Sequence, residues 1–452
     1  MSFRNSRRML LLSVFFLCIA FMGVYFIHVY RINHEYRIRY NDEGSVALRK
    51  FPYPYRAALA VSSDIDRTGT LEEFLEIQEF LNTNNTTSMG KGVGLEIGNS
   101  FLMFEAPDGT ISYFNSKADV AQTIREFVNS GRIDFIHSFG KKEDFSRADA
   151  IRALTELTAR DCKVDVWVDH AKTNDNWGND VTVGRGDLPG SEEYHADLTL
   201  AYGIKFAWMG ATTMKIGQTA PITPKTFTNL YDSDHHIHSL LNISKEFAKH
   251  FLSILGNQKY AVHKENDLVK ITTLDDGQKV YEFMRFDNFW QGVATGANSA
   301  GLGYVLSKKN LDRLKDVGGY MIVYTHLGMN ENCSQYICPQ TQTALRELSR
   351  EFYSGDIYVT TTSKLLNYYI TQRYLDWEYE STGDKITIKI HGIDDPIFGH
   401  SEPHADNLAG ITFNVPSSLP AEVYLGAKKL AHVTRNPSDH TNKESITISV
   451  TK

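Results

Sequence analysis

The sequence predicts an α/β protein: a distorted (β/α) barrel, preceded by an N-terminal transmembrane anchor and followed by an antiparallel β-sandwich. Three observations lead to this prediction. Residues 9–30 form an uncharged apolar run. Between residues 55 and 370, apolar strand-like runs alternate with segments of helical periodicity, which is typical of parallel strands joined by crossover helices. From residue 375 to 452 the period changes to two, and Pro and Gly clusters separate the segments, which favours a sandwich.

The composition limits the classes of function. The chain has 452 residues, of which 42% are hydrophobic and 22% charged, so it is not a wholly disordered chain. Its formal net charge of −7 lacks the basic bias of a nucleic-acid-binding protein. Aromatic residues make up 12% of the chain and offer platforms for stacking on sugars. The 4 Cys residues are too few for a disulfide scaffold.

The N-terminal residues predict a membrane anchor. The segment 9–30 is long enough to span a bilayer, which requires about 20 apolar residues. We therefore expect a cytoplasmic tail at 1–8, the span at 9–30, a polar stalk at 31–54 and all later residues outside the cytoplasm, in the periplasm or the extracellular space. A cleaved signal peptide is the alternative, although no small-residue cleavage pattern follows the run. Cys333 and Cys338 would form a disulfide in such an oxidising compartment or, alternatively, remain two unrelated thiols.

Apolar runs and helical spacing define the elements of the α/β unit. The strand candidates are Ala57–Ser63, Gly94–Ile97, Ile133–His137, Val164–Val168, Ile204–Met209, Lys279–Arg285, Tyr320–Tyr324 and Ile357–Thr361. The helix candidates are Leu71–Leu81, Ala118–Asn129, Arg147–Ala159 and Thr341–Tyr353. This number of strand–helix units favours a barrel over an open sheet. The strands expected in the sandwich are Lys385–His391, Ile411–Val415, Ala421–Leu425 and Ser445–Val450.

Carboxylates and histidines follow several predicted strands at the point where each strand ends. These residues are Asp64, Asp66, His137, His170 and His326. The carboxyl ends of barrel strands meet at one rim, so we expect the five side chains to converge there. One Asp with two His residues is a common ligand set for a divalent metal that keeps open positions for water and substrate. A second carboxylate and a further His can then act as general base and general acid.

At these positions the chain resembles the polysaccharide deacetylase family, also called the NodB-homology or carbohydrate esterase 4 group, over residues 55–370. The family motif T-F-D-D-G corresponds to S-S-D-I-D at 62–66, H-[ST]-x-x-H to H-S-F-G-K at 137–141, and the strand ending L-x-H to I-V-Y-T-H at 322–326. The chain departs from the family at Ile65, which separates the two aspartates, and at Lys141, which replaces a histidine. The resemblance implies hydrolysis of N- or O-acetyl groups of a surface or exported polysaccharide with a divalent metal, usually Zn²⁺.

The resemblance to the deacetylases implies a role for each of the five residues at the strand ends. We expect Asp66, His137 and His170 to bind the metal, Asp64 to act as base and His326 as acid. The roles of the two aspartates could be exchanged, because strand alternation places both on the same side. His195 is the reserve ligand. Weaker candidates for substrate contact are Arg185, His195 and Trp290, whereas the histidine-rich segment 234–238 is expected to be solvated.

Two other functions remain open. The segment D-I-D-R-T at 64–68 also resembles the D-x-D-x-[TV] motif of haloacid-dehalogenase-type phosphatases, in which the first Asp is a covalent nucleophile and Mg²⁺ binds both. That interpretation requires a late acidic pair, for which Asp394 and Asp395 are candidates, and leaves the histidines without a role. The second alternative is a carbohydrate-binding relative of the deacetylases that has lost turnover, as Lys141 would allow.

Overall fold

The computed structural model describes residues 23–40, 46–105, 109–140, 144–170, 173–178, 182–287, 295–330 and 333–449. The helices are α1 (23–40), α2 (Leu71–Asn82), α3 (Ala118–Asn129), α4 (Arg147–Ala159), α5 (Ala196–Tyr202), α6 (Pro224–Thr228), α7 (His236–Ile254), α8 (Ser299–Val305), α9 (Lys308–Val317), α10 (Pro339–Tyr353) and α11 (Thr362–Tyr374). Short 3-10 turns cover Gln258–His263, Thr295–Ala297 and Ala405–Leu408.

The strands fall into an N-terminal and a C-terminal group. The first group is β1 (Ala47–Leu48), β2 (Ala57–Ser63), β3 (Thr86–Thr87), β4 (Gly90–Lys91), β5 (Asn99–Phe101), β6 (Ile133–His137), β7 (Val166–Val168), β8 (Phe206–Trp208), β9 (Thr212–Thr213), β10 (Val269–Thr273), β11 (Lys279–Phe283), β12 (Arg285–Phe286), β13 (Tyr320–Thr325) and β14 (Ile357–Val359). The second is β15 (Leu375–Ser381), β16 (Ile386–Asp395), β17 (Gly399–Ser401), β18 (Thr412–Val415), β19 (Ala421–Leu425), β20 (Lys428–Lys429), β21 (Val433–Asn436) and β22 (Glu444–Ile448).

A mixed sheet of 11 strands forms the centre of the molecule, in the order β10-β11-β8-β7-β6-β5-β2-β13-β12-β9, with β14 also paired to β2. Strand β2 is buried along its whole length, which explains why its sequence is a continuous apolar run rather than an alternating one. It pairs in parallel with β13 from Ala58↔Tyr320 to Ser63↔Thr325. This register places the residues that follow both strands side by side.

The predicted closed barrel is wrong. The sheet curls into a half-barrel whose strand order has two ends, at β10 and β9, and β10 runs antiparallel to β11. Met284 alone separates β11 from β12, yet the two strands pair with different neighbours, β8 and β13. Such an offset in hydrogen-bonding partners within one extended segment has no signature in the sequence, because no Gly or Pro marks a break within Lys279–Arg285.

The C-terminal unit consists of two small sheets around a shared core. One has the order β1-β18-β22-β21 and the other β15-β16-β19-β20, with β17 paired to β16. Alternating residues such as Ile386, Ile388 and Ile390 are buried in this core, as the period of two predicts. The expectation of a wholly antiparallel sandwich is wrong, because β16 and β19 pair in parallel.

The predicted transmembrane anchor is also corrected. Within the residues described above, no helix is both long and apolar enough to cross a membrane. Residues 1–22, which include most of the predicted span, lie outside the described residues. The remainder of the span belongs to α1, which continues through Arg31, Arg37 and Arg39 and contacts the folded unit. In particular, Asn33 Nδ2 donates to the carbonyl oxygen of Ile222 over 2.8 Å.

Residues 31–54, predicted as a polar stalk, are instead part of the folded structure where they are described. The segment includes the end of α1 and strand β1, which pairs with β18 of the C-terminal unit. Next to β1, Arg49 Nη1 lies 2.5 Å from Asp439 Oδ2, and both side chains are almost completely buried. The sequence predicted an anchor and a stalk because an apolar stretch at 9–30 is followed by charged residues. The pairing of the short strand β1 with β18 could not be predicted, because a sequence does not show which strand is its partner.

The disulfide between Cys333 and Cys338 is present, as predicted. A disulfide of this kind persists in oxidising compartments and is rare in the cytosol. The bond links the start of α10 to the segment that follows β13.

We predict that Arg49→Ala destabilises the protein by about 1–3 kcal/mol, because it removes the buried cation beside Asp439 and leaves that carboxylate with its contacts to Thr441 and His440. Urea unfolding followed by circular dichroism measures this free energy. The matched control is Arg31→Ala, whose partner Glu35 forms a solvent-exposed pair and whose loss should cost no more than about 0.5 kcal/mol. Equal effects of the two substitutions would show that the segment next to β1 is not held in the core.

Candidate metal centre

The predicted site residues converge at the carboxyl ends of neighbouring strands. Asp64 and Asp66 follow β2, His137 ends β6, His170 comes after β7 and His326 follows β13. These strands lie together in the order β7-β6-β5-β2-β13. The backbone amide of Asp64 donates to the carbonyl oxygen of Thr325 over 2.9 Å, so the hydrogen bonds between β2 and β13 continue to the edge of the site.

Strained backbone positions and one glycine shape the loops that carry these side chains. Arg67 and Ser138, which directly follow Asp66 and His137, have φ values of 62° and 51°. Side chains other than glycine rarely adopt this left-handed region, and such positions cluster at functional sites. Gly328 is required for close packing, because a Cβ there would lie 2.4 Å from Thr68 Oγ1 and 2.8 Å from the Asp66 carbonyl oxygen.

Asp66 lies at the centre of three histidines. Its Oδ2 is 3.0 Å from His137 Nε2 and 3.4 Å from His326 Nε2, and its Oδ1 is 2.9 Å from His170 Nε2. The rings of His137 and His170 have centroids 4.6 Å apart. The Asp66 carboxylate is therefore the common neighbour of every predicted histidine of the site.

Asp64 has a different environment, dominated by a buried arginine. Arg285 Nη2 and Nη1 donate to Asp64 Oδ1 and Oδ2 over 2.8 and 2.9 Å. The guanidinium group is fully buried and lies 4.6 Å from the ring centroid of Trp208. Asp64 Oδ2 is also 3.8 Å from both His137 Nε2 and His326 Nε2. Arg285 thus fixes the orientation of Asp64 at the edge of the histidine cluster.

The electrostatics favour charged carboxylates. Burial opposes ionisation of Asp64, but the charge and hydrogen bonds of Arg285 and the nearby histidines outweigh it and lower the pKa of Asp64. Burial likewise opposes ionisation of Asp66, and the surrounding histidines lower its pKa far more strongly. Burial disfavours the charged forms of His170 and His326, yet hydrogen bonds to Asp66 raise the pKa of each.

The geometry fits a divalent metal. Asp66, His137 and His170 each offer one ligand atom, and these atoms all lie within 4.8 Å of one another. Asp66 Oδ2 and both ring nitrogens of His137 are buried but form no well-aligned hydrogen bond with any described residue. Buried polar atoms without partners are rare in native proteins unless they bind water or an ion. An Asp–His–His set leaves coordination positions open, as catalytic metal sites do.

The loop after β7 is held by the buried carboxylate of Asp169, which directly precedes His170. Asp169 accepts hydrogen bonds from the Trp167 indole, the Thr182 hydroxyl and the amides of Trp177 and Gly178, over 2.8 to 3.0 Å. Asp169 therefore positions the loop rather than facing the histidines. Asn176 Oδ1 accepts from the backbone amide of His170 over 2.9 Å, which supports the ligand itself.

His326 is oriented by its second ring nitrogen. Its Nδ1 lies 2.6 Å from the carbonyl oxygen of Ala297, so Nδ1 carries the proton of that hydrogen bond and Nε2 faces Asp66. The hydroxyl of Tyr324 lies 3.4 Å from His326 Nε2. This arrangement allows a proton to be exchanged at Nε2 without changing the ring orientation.

The remaining candidates lie elsewhere. His195 is fully buried, with Nδ1 at 2.8 Å from Thr199 Oγ1 and Nε2 at 2.8 Å from the Asp175 carbonyl oxygen, so neither ring nitrogen is available to a ligand. Arg185 donates to Glu193 Oε1 over 2.7 Å. Trp290 and Lys141 lie outside the described residues. The histidine-rich segment 234–238 lies at the start of α7 and is not part of this cluster.

Sequence reasoning gave no role to two residues of the site, Arg285 and Tyr324. A signal for Arg285 was available: it is a cation that follows the apolar residues Phe283 and Met284, and a buried cation needs a carboxylate to balance it. Tyr324 gave no such signal, because a tyrosine inside a buried strand is common. Its hydroxyl lies near the site because of the register in which β13 pairs with β2.

No protein-family model and no curated protein matches the chain. Among solved structures, the chain is similar to "The endo-beta1,6-glucanase BT3312", with 8% sequence identity and a TM-score of 0.32. The match covers 68% of this chain and 79% of that chain. At this TM-score the likeness assigns neither a fold nor an activity to the present chain.

We predict that Zn²⁺ binds and stabilises the protein through Asp66, His137 and His170. Ligand at about 100 times its dissociation constant adds about 2.7 kcal/mol to the free energy of unfolding, so the melting temperature should rise on addition of Zn²⁺. His137→Ala and His170→Ala should abolish this rise and the metal content measured by mass spectrometry.

Two further groups of described residues lie close enough to hold an ion: Asp64, Asp66 and His326, which overlaps this site, and a group on the surface that serves as the control. Asp376, Asp394 and His400 also lie close enough to share an ion, but Asp394 and His400 are exposed. His400→Ala should keep full metal binding. Loss of metal in His400→Ala together with retention of metal in His137→Ala and His170→Ala would contradict the prediction, because the metal would then be bound at the surface group.

Proposed function

We propose that the protein is a metal-dependent hydrolase that removes acyl groups, in the first place acetyl groups, from a polysaccharide outside the cytoplasm. The resemblance of residues 55–370 to the polysaccharide deacetylases supports this proposal. We assign Zn²⁺ as the metal. One observation carries it: the Asp66–His137–His170 cluster has Asp64 on one side and His326 on the other, with Asp64 Oδ2 and His326 Nε2 only 3.8 Å apart.

The choice of metal follows from the ligand types. Imidazole nitrogens with one carboxylate suit Zn²⁺, whereas Mg²⁺ and Ca²⁺ prefer oxygen ligands alone. A divalent cation held by these three residues supplies Lewis-acid activation of water and of the acyl carbonyl group.

The two flanking residues account for the proton transfers. Asp64 accepts a proton from the attacking water as the new carbon–oxygen bond forms. His326, protonated at Nε2, then delivers a proton to the departing nitrogen or oxygen as the acyl bond breaks. The hydrogen bond from Nδ1 to the Ala297 carbonyl oxygen holds the ring so that Nε2 faces the site during this transfer. The products are a carboxylic acid and a free amine or hydroxyl group on the sugar.

Arg285 acts as a positioning residue in this scheme. Its two hydrogen bonds hold both oxygens of Asp64 and lower the pKa of that carboxyl group. Asp64 is consequently ionised before substrate arrives, at the expense of basicity. The contacts support Asp66 as ligand and Asp64 as base, because Asp66 lies 2.9 to 3.4 Å from the three histidines and Asp64 comes no closer than 3.8 Å to His137 and His326.

The contacts give less support to the phosphatase alternative. The three histidines that approach Asp66 within 3.4 Å have no role in that mechanism. The late acidic pair that this alternative requires, Asp394 and Asp395, belongs to β16 of the C-terminal unit. The carbohydrate-binding alternative without turnover would use the same residues, and the assay below distinguishes it from the deacetylase.

We predict that the Zn²⁺-loaded protein releases acetate from at least one acetylated polysaccharide in a panel of N- and O-acetylated polymers. Asp64→Asn and His326→Ala should lower kcat by about 10²–10⁴-fold, the usual contribution of a general base or acid, and should retain the metal. Enzyme-coupled detection of acetate gives the rates, and mass spectrometry gives the metal content.

His391→Ala is the matched control, because this histidine is half exposed on the C-terminal unit and should leave the rate unchanged. Wild-type rates in His326→Ala would disprove the proposed role of that residue. A metal-loaded protein that binds polymer and releases no acetate would favour the non-catalytic alternative.

A further inference from the structure

Helix α7 has the inverse polarity of an ordinary surface helix. The side that faces the rest of the protein is polar, and the residues buried there are Ser239, Asn242, Glu246, His250 and Ser253. The side that faces solvent is predominantly apolar, and the large hydrophobic residues exposed there are Ile237, Leu240, Leu241, Phe247 and Leu252, followed by Leu255 directly after the helix. A surface helix of a soluble domain normally turns its apolar stripe towards the core. The outer side of α7 is therefore suited to contact with an apolar partner outside this domain.

Specific contacts fix this orientation of α7. Glu246 Oε1 accepts from Lys249 Nζ over 2.8 Å, and Glu246 Oε2 accepts from the Thr213 hydroxyl over 3.2 Å. His250 Nδ1 lies 2.7 Å from the carbonyl oxygen of His263. A rotation of α7 that buried its leucines would break these contacts and bring polar side chains to the surface. The exposure of the apolar side is thus imposed by the buried polar side.

Helix α1 extends the apolar surface of α7. The two helices pack together, with the ring centroids of Tyr25 and Phe247 5.7 Å apart and Ile243 packed against the small core that contains Ile32. The outer side of α1 exposes Val24, Phe26, Ile27 and Tyr30. Of the 21 large hydrophobic side chains that are exposed among the described residues, 11 lie on α1, on α7 or at Leu255. Single exposed hydrophobic residues are common, but a concentration of this kind marks a contact with a protein or a membrane.

Positive charge accompanies this apolar surface. The basic residues of the two helices are Arg31, Arg37, Arg39, Lys245 and Lys249. The helices contain two acidic residues, of which Glu35 lies 3.6 Å from Arg31 and Glu246 is buried. The whole chain, in contrast, has a net charge of −7. Basic side chains beside an apolar surface complement anionic lipid headgroups, whereas a symmetric contact between two copies would place like charges together.

The sequence before α1 continues the apolar character of this surface. Residues 9–22, which lead directly into α1, contain no Asp, Glu, Lys or Arg. The chain therefore enters the surface from an uncharged segment, which suits a lipid environment better than an aqueous one.

We propose that the outer sides of α1 and α7 form a lipid-binding surface with which the protein lies on an anionic membrane. A helix in the plane of the membrane interface buries its apolar side about 5–10 Å deep, so this contact needs no helix that crosses the bilayer. The leucines of α7 contact the acyl chains, and Arg37, Arg39 and Lys245 contact the headgroup phosphates. The inference does not rest on the proposed hydrolase activity.

The test places a fluorescent reporter on α7 of the full chain. Leu241→Trp and Leu255→Trp each introduce an indole at an exposed position of the surface. The proteins are mixed with vesicles of phosphatidylcholine and phosphatidylglycerol whose acyl chains carry bromine, which quenches tryptophan at short range. We expect most of the emission that each new indole adds to the wild-type emission to be lost. The loss should be smaller with phosphatidylcholine alone, and added salt should reduce the difference by screening the basic residues.

The matched control is Ile151→Trp, which introduces an indole at an exposed position of α4, outside this surface. Its added emission should be unchanged by the brominated vesicles. Equal quenching in Ile151→Trp, or no quenching in both α7 variants, would overturn the inference. An emission of Leu241→Trp that ignores the vesicles but shifts to the blue as protein concentration rises would assign the surface to a second copy of the chain. His137→Ala combined with Leu241→Trp should be quenched as strongly as Leu241→Trp alone, independently of any acetate release.

Discussion

The burial of two carboxylates at the end of one strand is the constraint on which the site depends. Strand β2 is buried on all sides, so Asp64 and Asp66 emerge from it with almost no contact to solvent. An unpaired buried carboxylate is strongly destabilising, and each one therefore needs positive charge nearby. Arg285 satisfies Asp64 through two hydrogen bonds. Three imidazole rings approach Asp66 in the part of the chain that the structure describes, and a divalent cation would supply further positive charge.

The rest of the local structure serves this arrangement. The parallel β2–β13 register brings His326 beside the carboxylates, and the Ala297 carbonyl fixes its ring. Asp169 and Asn176 support the loop that carries His170. Left-handed backbone at Arg67 and Ser138 costs about 1–3 kcal/mol at each position, and packing of the surrounding strands must hold it in place. Strain and buried charge at one rim are expected where a protein is built for binding or catalysis rather than for stability alone.

Sequence patterns predicted the local elements better than their assembly. The helices Ala118–Asn129 and Arg147–Ala159 and the strands Ala57–Ser63 and Ile133–His137 have the predicted bounds, because their apolar spacing matches the core they contact. The five side chains that follow strand ends lie close together, because the carboxyl ends of parallel strands meet at one edge of the sheet. Barrel closure, the parallel β16–β19 pair and the position of residues 31–54 could not be obtained this way, since each depends on which distant strand supplies the hydrogen bonds. Arg285 was missed because its partner is 221 residues away in sequence.

The location of a bound metal tests the central claim most directly. Crystals grown with Zn²⁺ and measured on both sides of the zinc absorption edge would show the ion by anomalous scattering, independently of any activity. The account predicts one peak within about 2.0–2.2 Å of Asp66 Oδ, His137 Nε2 and His170 Nε2. A peak only at Asp376, Asp394 and His400 would contradict it. A fully occupied ion that is not coordinated by the ring nitrogens of His137 and His170 would also contradict it.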